Sequence, residues 1–347
     1  MLTTSTTLVA FSLVLVAGTL QGAFALPMSY IQRWRWENTW LAYSLVAFVI
    51  LPVGTAFATS AYLPQTIHRA PWPSLVETGL FGFGWGAGSV FFGLGIDLAG
   101  MALGMTVMSG LIDAFGTIVP LAILSPQVLV QRRGHLIIFA TAVTVVGVAV
   151  CGYAAHLRGL DIARDSSSVL KTKSVPLFRA LVVCTLSGIL SAMFNFGYAF
   201  SDRVVETARQ VGASADASLN VVWVLLLLCG AIPNIFYCIY LLQRNQTWGL
   251  YMQGYGSRPW VLAMTMGFLW LGGVLLYGMA GDRMGNLGPS LGWAIWNAVI
   301  ILTSTICGLA VGEWRGARRR SVAVLWMGVA ILILSIGILG AAGAGAT

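Results

Sequence analysis

Charge is what this chain has least of. Asp, Glu, Lys and Arg together make up 9% of 347 residues, against 58% hydrophobic, where a soluble domain carries about 25% charged residues. That scarcity excludes an ordinary water-soluble globule. With a mean hydropathy of +0.86, it makes a bilayer the solvent. Histidine is nearly missing too: His68, His135 and His156 fall in loops or at span ends, with no HExxH and no serine-histidine pairing, so hydrolytic chemistry has no residue set to run on. The five cysteines lie inside apolar runs without CxxC or Cys/His spacing, and read as small packing residues, not metal ligands or disulfides. The glycine runs lack a water-exposed helix start on which a nucleotide phosphate could sit. No enzyme, metal, cofactor or ATP-driven pump is expected.

No Lys or Arg precedes Arg33, so the apolar N-terminus reads as a retained first span although Ala23-Phe24-Ala25 mimics a cleavage site. The net charge of +8 comes from residues set between apolar runs, which points to a leaflet bias and away from nucleic acid.

What the chain has in plenty is apolar runs. They lie near 6–26, 39–58, 76–96, 101–123, 136–156, 178–199, 219–242, 259–280, 290–312 and 322–342, each about the 20 residues that a crossing needs. An all-α integral membrane protein with ten transmembrane helices follows. Odd-numbered connections hold thirteen of the nineteen basic residues, so by the positive-inside rule they face the cytoplasm and both termini lie outside. Arg132 and Arg133 sit on the minority side.

The stretch Phe81 to Pro120 is dense in glycine and has a partner further on. At an offset of 185 residues, Trp85, Gly88, Phe92 and Gly93 fall on Trp270, Gly273, Tyr277 and Gly278; at 170, Gly18, Leu20 and Phe24 fall on Gly188, Leu190 and Phe194. The polar segment 158–176, read as a cytoplasmic linker, divides the spans five and five, into 1–157 and 177–347. A repeated unit with an odd number of crossings inserts its second copy upside down, so two inverted five-helix repeats are expected, an arrangement typical of transporters.

Asp113 is the sharpest residue, twelve positions past Met101 and ten before Ile123, near the bilayer centre at a rise of about 1.5 Å per residue. A charge there costs about 2.5–3.5 kcal/mol on insertion scales. It reads either as a proton-binding or hydroxyl-binding group or as a structural carboxyl holding helices together. Gln21, Ser89, Asn195 and Asn297 read either as the donors and acceptors that a neutral polyol needs or as groups that bond helix to helix. Trp85, Phe92, Trp270, Tyr277, Trp293 and Trp296 are the deep aromatics, and an indole stacks on a sugar's C–H face. Trp34, Trp36, Trp40, Trp72, Trp248, Trp260 and Trp314 read as interfacial anchors.

Trp34-x-Trp36-Glu37-x-x-Trp40, Leu80-Phe81-Gly82-x-x-Trp85-Gly86-x-Gly88, Gly116-Thr117, Gly230-Ala231-Ile232-x-Asn234 and Gly308-Leu309-x-x-x-Glu313-Trp314 with its arginine cluster resemble the bacterial L-rhamnose/proton symporter family of the drug/metabolite transporter superfamily. The resemblance implies proton-driven uptake of L-rhamnose or a related deoxy sugar across the bacterial inner membrane, with the sugar and the proton as partners and no obligatory protein partner. It gives Glu37, Asn234 and Glu313 structural or gating roles. Family members carry an amide near Ser89, another near Gly273 and an acid near Pro289; here all three are smaller or apolar. An exporter of another metabolite, or a membrane sugar sensor that binds without moving its ligand, are the competing readings.

Overall fold

The computed structural model describes residues 4–59, 62–165, 177–253 and 256–344. Ten long helices follow in chain order: α1 (Thr4–Ala23), α2 (Trp36–Thr59), α3 (Trp72–Ala99), α4 (Met101–Leu124), α5 (Arg132–Asp165), α6 (Leu177–Ala199), α7 (Ala215–Arg244), α8 (Arg258–Met284), α9 (Trp293–Ala310) and α10 (Arg319–Ala344). Nine stretches among the described residues are long and apolar enough to cross a membrane. The longest, Arg258–Ala310, holds both α8 and α9, so the chain makes nine to ten crossings.

Local chemistry explains the breaks. The narrow gap between α3 and α4 is a single residue, Gly100, at φ 79, a left-handed conformation that glycine adopts without a Cβ clash. α2 widens into a π turn over Val46–Ile50; Pro52 supplies no N–H to the carbonyl of Phe48. Between α8 and α9 the chain tightens to a 3-10 turn at Gly285–Leu287 and widens to a π turn at Gly288–Gly292. One expectation shifts: α5 runs on to Asp165, so residues 158–165 of the expected linker are helical, and 166–176 lie outside the described residues. Asp161 shows why. Its carboxylate accepts from the Arg318 backbone N–H at 2.9 Å and the Ser321 hydroxyl at 2.5 Å, fastening the end of α5 to the start of α10.

The helix ends gather on two faces. On the odd face, made by connections one, three, five, seven and nine, Glu37 accepts from Asn245 and Thr247, both at 2.9 Å, and Trp34 meets Trp260 edge-on at 4.9 Å. On the even face, Arg209 pairs with Asp282 at 2.7 Å and Arg283 with Asp216 at 2.8 Å. Between them α3 packs on α6 and α7, α8 on α1 and α2, α4 on α5 and α6, α9 on α1 and α10, and α5 on α10. Glycine permits the closest of these approaches: a Cβ on Gly86 would run into the Gly230 backbone of α7, and lipid-buried helices gain contact area when backbones meet this closely.

Candidate functional site

A cavity of about 300 Å³ lies where α1, α2, α3, α6, α8 and α9 converge. That is the lower end of the range for small-molecule pockets, about 300–1,000 Å³. Its lining starts near the odd face with Phe24 and Trp40 and stops at Phe194, Trp293 and Trp296. No charged side chain lines it.

Its walls are aromatic and mutually braced. Trp85 and Trp270 stack at 5.6 Å and 28°, and Phe48 meets each of them edge-on, at 5.1 and 4.9 Å. Such pairs add about 0.5–1.5 kcal/mol beyond their buried area. In the amide orientation that satisfies both groups, Gln21 accepts from the Trp270 indole N–H at 2.6 Å and donates to the Trp270 carbonyl at 2.9 Å. Gly273 lets α1 and α8 come this close: a Cβ there would meet the Ala17 carbonyl and the end of the Gln21 amide, each at 2.9 Å. A longer side chain at position 273 would displace Gln21 and press on the α1 backbone.

Of the residues singled out from sequence for the site, Gln21, Trp85, Ser89, Phe92, Asn234, Trp270, Trp293, Trp296 and Asn297 line this cavity. Not all of them have polar atoms to spare. Ser89 donates to the Trp85 carbonyl at 3.1 Å and the Asn297 amide N–H to the Trp293 carbonyl at 3.0 Å; the hydroxyl oxygen of one and the amide oxygen of the other keep acceptor capacity. Asn234 is used structurally, donating to the carbonyls of Gly86 at 3.3 Å and Gly230 at 3.1 Å and accepting from the Trp40 indole at 3.4 Å.

Other expected residues stand elsewhere. Asn195 and Tyr277 are fully buried and absent from the lining, bonded to each other at 2.6 Å. Glu37 and Glu313 belong to the odd face, Glu37 in the bonds already described and Glu313 exposed in the turn after α9. Asp113 is fully buried, and neither carboxyl oxygen has a hydrogen-bond partner among the described residues. It stands on the flank of α4 between the row that meets α9 and the row that meets α5. Gly116 abuts Trp293, while a Cβ on Gly110 would meet Val145 of α5 at 3.3 Å. Asp113 therefore sits behind the cavity wall, next to Ile112, whose side chain lines the cavity and whose carbonyl accepts from the Trp293 indole at 3.2 Å.

Sequence reasoning missed Tyr43, Phe48 and Phe194 of the lining, and read Trp40 as an interfacial anchor. Trp40 turns inward instead, against Tyr43 at 5.1 Å, whereas Trp72, 74% exposed, has the outward placement of an anchor. The usable signal was the spacing of Trp36, Trp40 and Tyr43, which puts aromatics on one helical face.

Fold and site together define a polytopic helical membrane protein with a small-molecule cavity set inside the membrane. The chain belongs to the L-rhamnose-proton symport protein (RhaT) family, which it matches over residues 4–345, a family of transporters and not of enzymes. It is similar to the L-rhamnose-proton symporter of Salmonella typhi, 23% identical over 333 residues and covering 94% of this chain and 95% of that one. The symporter of Salmonella gallinarum (strain 287/91 / NCTC 13346) is 24% identical over 337 residues with the same coverage. A crystallographically solved protein superposes over 96% of both chains with a TM-score of 0.54 at 16% identity, a likeness of fold alone.

Proposed function

We propose that this protein is a proton-coupled symporter of L-rhamnose or a related 6-deoxy sugar in the bacterial inner membrane, working by alternating access. The observation that carries the reading is the uncharged, aromatic-walled cavity with a few amide and hydroxyl groups. A 6-deoxy sugar is neutral, offers hydroxyls to such groups, and has an apolar C–H face and a methyl for the indoles. Trp85 and Trp270 are the stacking platforms, with Ser89 and Asn297 as hydrogen-bonding partners, and Gln21 holds Trp270 in place.

Asp113 is the proposed proton carrier. Its position favours a coupling that is indirect: a charge arriving at or leaving an unpartnered buried carboxyl is worth several kcal/mol, and α4 carries that change to the Ile112 and Gly116 carbonyls on either side of it. The two five-helix halves, 1–157 and 177–347, are proposed to be inverted repeats. Supporting this, Gly18 of α1 packs on α9 as its sequence match Gly188 of α6 packs on α4, and the matched Trp85 and Trp270 stack on each other. The basic residues of the odd connections favour a cytoplasmic odd face, with both termini outside, in which case this conformation faces inward.

The test is uptake of labelled sugar into proteoliposomes under an imposed inward proton gradient, a sodium gradient or none. Accumulation driven by protons alone supports the reading. Saturable binding with no counterflow would turn it into a sensor.

A further inference from the structure

Beneath the cavity, toward the even face, a second and more polar hollow of about 550 Å³ is lined by Tyr198, Asp202, Gly281, Asp282 and Pro289 among others. Along α6 the layer between them is one turn thick, from the cavity-lining Phe194 to Tyr198 of the hollow. Asn195 lies within that turn, fully buried, one residue from Phe194 and three from Tyr198.

Three of the four hydrogen-bonding directions of the Asn195 amide reach other elements. One N–H goes to the Gly116 carbonyl of α4 at 2.7 Å and the other to the Pro289 carbonyl of the π turn before α9 at 2.6 Å. Its oxygen accepts from the Tyr277 hydroxyl of α8 at 2.6 Å. One side chain thus ties together four segments. The Gly116 carbonyl is available for a specific reason: in an α-helix it would accept from the N–H of residue 120, and Pro120 has none. The Tyr277 ring then stacks flat on Trp296 of the cavity wall, at 4.3 Å and 7°, and meets Tyr198 of the lower hollow edge-on at 5.4 Å. The layer is continuous from one hollow to the other.

We infer that Asn195 is the latch of the even-face gate. With the Gly116 and Pro289 carbonyls and the Tyr277 hydroxyl it holds α4, α6, α8 and the lead-in to α9 closed, and it releases the two carbonyls when the cavity opens to the even face. A solute leaving the cavity in that direction has to pass this layer. The inference rests on the transport reading only in that some solute crosses.

The test reads accessibility, so the identity of the sugar and the coupling ion do not enter. In a background with the five cysteines replaced by alanine, Ser89→Cys reports on the cavity. Its labelling by a membrane-impermeant maleimide is measured from each face, in vesicles of known orientation. Labelling is expected to be faster from the odd face, and Asn195→Ala to reduce the odd-to-even rate ratio by about tenfold or more, the equivalent of one to two hydrogen bonds. Pro120→Ala, which supplies a competing backbone N–H to Gly116, and Tyr277→Phe, which removes one hydroxyl, should move the ratio the same way by smaller amounts. A ratio within twofold of the parent in the folded variants would overturn the latch. Should Asn195→Ala fail to fold, the other two decide alone, because each leaves the amide in place. Unchanged ratios in those two overturn the inference even if sugar uptake is intact; shifted ratios uphold it even if sugar uptake fails.

Discussion

Replacing Gln21 by methionine keeps the length of the side chain and removes both bonds to Trp270. Trp270 is 5% exposed, so its indole N–H would be left buried without a partner, at a cost of about 1–3 kcal/mol. That loss divides between the folded state and the ligand complex, since Trp270 is one of two stacked platforms. If it fell wholly on binding, the half-saturating sugar concentration would rise by about 5- to 150-fold. The assay is a double-mutant cycle over Gln21→Met and Trp270→Phe, read by thermal melting in detergent and by sugar-dependent quenching of tryptophan fluorescence. Phenylalanine at 270 has no N–H to strand, so Gln21→Met should cost about 1–2 kcal/mol less in that background. If Gln21→Met left both readouts within twofold of the parent, or cost the same in the two backgrounds, the grip on Trp270 would not be what shapes the wall.

Three further outcomes are expected. Asp113→Asn should abolish proton-driven accumulation while leaving exchange of labelled sugar across the membrane, because the amide fills the same space but holds no exchangeable charge; loss of both in folded protein would favour a binding role. Asp161→Ala removes the acceptor for the Arg318 N–H and Ser321 Oγ, and should lower stability by about 1–3 kcal/mol, seen as earlier melting, with sugar affinity unchanged. Gly273→Asn should weaken sugar binding by at least about tenfold, because its Cβ meets the Ala17 carbonyl as well as the Gln21 amide, and adding Gln21→Ala should restore little of the loss, since the Ala17 carbonyl and the Cβ of residue 21 stay in place.

The crossings were legible in the sequence because apolar runs have one cheap solution in lipid, a helix that satisfies its own backbone. Gly100 was enough to split a run too long for one pass. The end of α5 was harder to see: Asp161 looks like linker polarity until its bonds to α10 are known, and those depend on a helix about 160 residues away. The site divided along the same line. Trp85 and Trp270 could be paired from their repeat spacing, but Asn195 could be recognised only as a buried amide, not as one bonded to three other segments. The relation of Pro120 to the Gly116 carbonyl, four residues apart, was present in the sequence; its partner on α6 was not. Likewise the depth of Asp113 follows from counting along α4, whereas its turn away from the cavity depends on which rows of α4 meet α5 and α9.

The central claim is that a proton gradient drives a deoxy sugar through this chain. Purified protein in proteoliposomes, with labelled L-rhamnose outside and an inward proton gradient imposed, tests it most directly. The account predicts accumulation above the equilibrium level that collapses when a protonophore is added and is absent with a sodium gradient alone. Folded protein that takes up no L-rhamnose, or only equilibrates it regardless of the gradient, would contradict it.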